Sequence, residues 1–123
     1  MKLRLIPILF AATAAAACAG GVPEPKQPLA DAESAARSAR ELGADAQPAA
    51  KLEVSLADEQ IVKAKALIAS GDNGRATYVV LRARADAELA IALAREQHAS
   101  TEVQKTVTLT AATLNTNTAG ATP

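Results

Sequence analysis

An all-α fold, built as a two- or three-helix antiparallel hairpin or bundle with a long third helix, follows from three features of the sequence. Apolar residues recur at three- and four-residue intervals over long stretches, the periodicity of a helix with one covered face. Ala fills 32 of the 123 positions, so those faces are small and suited to close helix–helix approach. Gly and Pro punctuate the chain at Gly43, Pro48 and Gly71, where helices end or begin.

Residues 1–17 stand apart from this pattern. Lys2 and Arg4 precede an apolar run from Leu5 to Phe10, and Ala11 to Ala17 is almost entirely small. That order is the one of a cleavable export signal, and the apolar run is shorter than the roughly 20 residues that a membrane-spanning helix needs. Ala15, Ala16, Ala17 and Cys18 resemble the lipobox of bacterial lipoproteins, in which the chain is cut between the positions held here by Ala17 and Cys18. The cysteine then carries acyl chains such as palmitate. Cys18 is the only cysteine, so no internal disulfide competes for it. Two or more acyl chains hold a protein stably on a membrane, and Ala19 after the cysteine is compatible with sorting to the outer membrane. The alternative is ordinary cleavage after Ala17 or Ala19, which yields a soluble periplasmic protein.

Residues 18–27 contain Gly20, Gly21, Pro23 and Pro25 with little to bury, and read as a flexible tether. A helical domain is expected over 28–114. Its first helix starts at Pro28, whose fixed φ suits a first turn, carries Leu29, Ala32, Ala36 and Ala39 at helical spacing, and stops at Leu42–Gly43. A second runs from Ala49 or Ser55 to Ser70, with Val54, Ala57, Ile61, Ala64 and Ile68 as its seam. Asp72, Asn73 and Gly74 form a turn, and a third helix begins near Arg75. On its wheel Val80, Ala83, Ala87, Ala90, Ile91 and Ala94 share a charge-free arc of about 100°. This seam looks larger than the shorter helices can cover, which marks it as a candidate interaction surface. Arg82 with Asp86 and Arg84 with Glu88 are spaced for ion pairs along the helix. Beyond Thr101 the β-branched content lowers helix propensity, so the helix should weaken toward Leu114 and leave 115–123 as a disordered tail.

The chemistry of an enzyme is missing from this inventory. From Cys18 onward the chain has 11 basic and 13 acidic residues, mixed in sign, with nothing to attract nucleic acid. Large aliphatic residues are scarce, and no Phe or Trp follows the signal, so an aromatic ligand pocket is not expected. His98 is the one imidazole and is expected to be solvated, since no second His or Cys completes a metal site. Gly71–Gly74 lacks the Lys-Ser/Thr of a phosphate loop and the acidic spacing of a calcium loop. Ser34, Ser38 and Ser55 lack a base, and Tyr78 is expected to pack partly against the second helix. No cofactor, metal or small-molecule substrate is implied.

The sequence of signal, cysteine, Pro-rich tether and alanine-rich helices, with Gly71-Asp72 before a helix reading Ala83-Arg84-Ala85-Asp86-Ala87-Glu88-Leu89-Ala90, resembles small bacterial envelope lipoproteins grouped as domain of unknown function 4398. The likeness covers about Pro28 to Gln97. It implies a helical protein attached to the outer membrane and facing the periplasm, and brings no functional residues with it. Two roles then compete: an adaptor whose seam is covered by another envelope protein, and a self-associating coiled-coil spacer between outer membrane and cell wall.

Overall fold

The computed structural model describes residues 21–119. Three helices account for most of them: α1 (Lys26–Glu41), α2 (Pro48–Ala69) and α3 (Asn73–Ala119), with one 3-10 turn at Ala44–Ala46 between the first two. The expected signal, the cleavage point expected between Ala17 and Cys18, and Cys18 as the expected anchor lie outside the described residues.

The helix boundaries follow from capping. α1 begins two residues before Pro28, with Pro25 in the capping position. Pro28 is tolerated there because the N–H groups of the first turn have no partner within the helix in any case. At the other end Gly43 takes φ 79° and its N–H reaches the Arg40 carbonyl, a left-handed stop that Gly accepts without strain. α2 starts at Pro48, its first helical residue, so Pro48 opens this helix with its ring where no N–H is needed. It ends in a Schellman motif: Gly71, at φ 80°, donates to the Ile68 carbonyl, and Asp72 donates to that of Leu67. Asp72 Oδ1 then accepts the Arg75 N–H at 3.2 Å, and so caps α3 two residues earlier than expected. Asp72→Ala is expected to cost about 1 kcal/mol in urea denaturation; a change near zero would show that Asn73 or solvent takes over the cap.

Side-chain contacts give the topology. Arg40 pairs with Asp58, and Glu33 with Lys65 at 2.6 Å, so α1 and α2 run antiparallel. Gln60 donates to Asp86 across α2 and α3, and Asp31 meets Arg84 at 3.7 Å, which sets α1 parallel to α3. The ion pairs among these contacts, all well solvated, fix register more than they add stability, since each is worth about 0–1 kcal/mol.

Two stacked sections form the core. One gathers Ala32, Ala36, Ala57, Ile61, Ala64, Val80, Ala83 and Ala87; the other gathers Ala39, Ala44, Ala50, Val54, Ala90 and Ala94. In α3 the buried positions 76, 80, 83, 87, 90 and 94 alternate steps of four and three, the 3.5-residue repeat of helices that wind around each other. Methyl groups let the three backbones come close, so contact area is gained from many short side chains.

Candidate interaction site

The seam expected to face a partner is instead inside the molecule. Val80, Ala83, Ala87 and Ala90 are completely buried and Ala94 is 2% exposed, while Ile91 packs on the edge of the second core section. α1 and α2 each present their own small-residue face to it, so together they cover what neither covers alone. The surplus of α3 lies further along. It has 47 residues, about 70 Å of helix, and every residue from Arg95 to Asn117 is exposed.

This projecting arm is helical to Ala119, so 115–119 belongs to the helix and not to a disordered tail; 120–123 lie outside the described residues. Its Thr side chains are accommodated within the helix. The hydroxyls of Thr101, Thr106, Thr108, Thr110 and Thr113 each donate to the carbonyl four residues back at 2.8–2.9 Å, satisfying their own polar groups without breaking the backbone ladder. Val103, Val107, Thr110 and Leu114 share one side of the arm at four-three-four spacing. Val103 is 64% and Val107 57% exposed. Leu109, also exposed, points to another side beside Lys105.

At the opposite end of the bundle, the segment before α1 is docked. Asn73 Nδ2 donates to the Val22 carbonyl at 2.9 Å, and Pro25 is buried. Residues 21–25 thus lie against the α2–α3 turn instead of forming a free tether, and the N-terminal end of the described chain sits away from the arm.

His98 has a role that its sequence position did not suggest. It is exposed, as expected, but its Nε2 lies 2.8 Å from the Leu42 carbonyl, one of the acceptors left without a helical partner at the end of α1. The bond ties α3 to the α1–α2 connection at the edge of a groove that also includes Gln47 and Pro48. Nothing within 50 residues of His98 in sequence signals this pairing. Tyr78 does not pack as expected: it is 77% exposed and only borders a shallow groove with Gln60, Lys63 and Arg82, while Val79 takes the position against the core.

Of the two ion pairs expected along α3, Arg84–Glu88 forms at 2.7 Å, and Asp86 turns to Gln60. The hydrogen bond from Arg84 to Glu88, helped by that carboxylate's charge and by Asp31, raises the guanidinium pKa. Among the described residues no group of three His, Cys, Asp or Glu side chains converges as a metal site, and no helix is long and apolar enough to cross a membrane.

Neither curated proteins nor solved structures include a match to this chain. The family described as domain of unknown function (DUF4398) matches residues 27–106, which spans α1, α2 and the packed part of α3 and stops within the arm. The chain therefore belongs to the DUF4398 family.

Proposed function

We propose that this protein is a lipoprotein of the bacterial cell envelope, anchored in the outer membrane through acylated Cys18, facing the periplasm, and acting as a non-enzymatic protein-interaction or structural module. The observation that carries the proposal is the order of Lys2–Arg4, Leu5–Phe10 and Ala11–Ala17 ending at the single Cys18, the layout of an export signal followed by an acylation site. The docking of Val22 on Asn73 fits this reading, because an anchor four residues before Val22 would hold the α2–α3 turn near the membrane. α3 would then rise away from it, with the arm at the far end.

Fractionation of cells grown with labelled palmitate tests the anchor. The wild-type chain should carry label and sediment with the outer membrane, and Cys18→Ser should lose the label and move to the soluble periplasmic fraction. A wild-type chain that is unlabelled and soluble would replace the anchored reading with the soluble periplasmic one. The spacer role shares the anchor and draws support from the length of α3; it requires that the protein associate with itself.

A further inference from the structure

We infer that the arm of α3 pairs with the arm of a second copy of the chain, through the side that carries Val103, Val107, Thr110 and Leu114. This names a partner for the interaction module proposed above, and it does not depend on the anchor.

Three observations lead to it. The first is that the arm is a poor helix by itself. Seven of residues 101–119 are Thr, whose β-branched side chains disfavour helix, and every residue of this stretch to Asn117 is exposed. A covered apolar face would offset that cost. The second is where the apolar stripe lies. Its spacing is that of a coiled-coil seam, but at 100° per residue it falls on the other side of α3 from the buried Ala83, Ala87, Ala90 and Ala94. Longer versions of α1 and α2 would not reach it, so the stripe is not a continuation of the internal core.

The third observation is charge. All charged residues after the signal lie between Glu24 and Lys105, and none occurs in 106–123. Glu102 and Lys105 pair with each other at 2.8 Å, away from the stripe. A symmetric contact places the same patch on both partners, so it must be complementary to itself. A neutral apolar stripe meets this condition, with no like charges brought together. A membrane surface is a poorer fit, because helices that lie in that interface carry a basic polar face and bulky or aromatic apolar residues; residues 101–119 have Lys105 as their one basic side chain and no aromatic. The area available is limited. One side of a helix about 30 Å long offers less than the roughly 800 Å² per partner of a standard interface, so the pair forms reversibly and with concentration.

The test uses the full chain carrying Cys18→Ser, so that any disulfide comes from an introduced cysteine and the anchor plays no part. Under oxidation Val107→Cys or Val103→Cys should give cross-linked dimer well in excess of Leu109→Cys. In sedimentation across a concentration series, the mass should rise from one chain toward two. Val107→Glu should weaken that association by roughly tenfold or more and leave the thermal melting of the bundle unchanged. The inference is overturned by a chain that stays monomeric throughout, by equal cross-linking at positions 107 and 109, by association that Val107→Glu does not weaken, or by association seen only on added neutral lipid vesicles.

Discussion

Replacing Ala87 with Leu is expected to destabilise the protein by about 2–3 kcal/mol. Ala87 is completely buried in the section of core where Ala32, Ala36, Ala57 and Ala64 meet α3. Most of its neighbours there are alanines, with Ile61 the longest buried side chain in the section, so the added atoms must push helix backbones apart. Every methyl contact along the seam then loosens together, because dispersion falls off steeply with separation. The check is a urea unfolding curve followed by circular dichroism, with Leu109→Ala on the arm as a control that should change stability by less than about 0.5 kcal/mol. A loss below about 1 kcal/mol for Ala87→Leu would mean that the helices are not packed this closely. Ala87→Glu, which would seem a natural way to disrupt an oligomer, is expected to unfold the bundle by burying an unpaired carboxylate.

Ile61→Ala should cost about 2–4 kcal/mol. In a core of alanines the few larger side chains carry a disproportionate share of the apolar area removed from water, and Ile61, 6% exposed, is the longest of them. It lies between Ala57 and Ala64 on α2 and packs in the same section as Val80. Removing it leaves a cavity lined mainly by alanine methyl groups, which have no side-chain freedom with which to fill the space. The same denaturation measurement applies, and Val62→Ala, one residue along on the exposed side of α2, should be nearly neutral. Equal effects at positions 61 and 62 would contradict the assigned register of α2.

The helices and their buried faces were legible in the sequence because three-four spacing is a local property. Ala32, Ala36 and Ala39, then Val54, Ala57, Ile61 and Ala64, then Val80, Ala83, Ala87, Ala90 and Ala94 are all core. What local spacing leaves open is who covers a face. The seam of α3 reads the same whether its cover comes from this chain or another, and the decision depends on how α1 and α2 stack beside it. Boundaries moved where capping outweighed composition, as at Pro25, Pro48 and Asp72. The arm was underestimated because threonine propensity was weighed as for a separate segment, whereas residues beyond Thr101 only propagate a helix that the packed part of α3 has already nucleated. Contacts such as His98 with Leu42 and Asn73 with Val22 join residues more than 50 positions apart, and no periodicity announces them.

The parallel course of α1 and α3 has a mechanical consequence. The chain enters α1 at the end marked by the α2–α3 turn, and α3 leaves the bundle past the α1–α2 connection, beside Leu42. A pull applied between those two exits would drag α1 and α3 lengthwise in opposite directions. All the contacts between them, with the Asp31–Arg84 pair, would then bear load at once, instead of opening one after another as they would if neighbouring helix ends were peeled apart. Rupture under force follows the unfolding rate and not the equilibrium stability. A modest alanine core loaded in shear can therefore hold its two ends together longer than its free energy of folding alone would indicate.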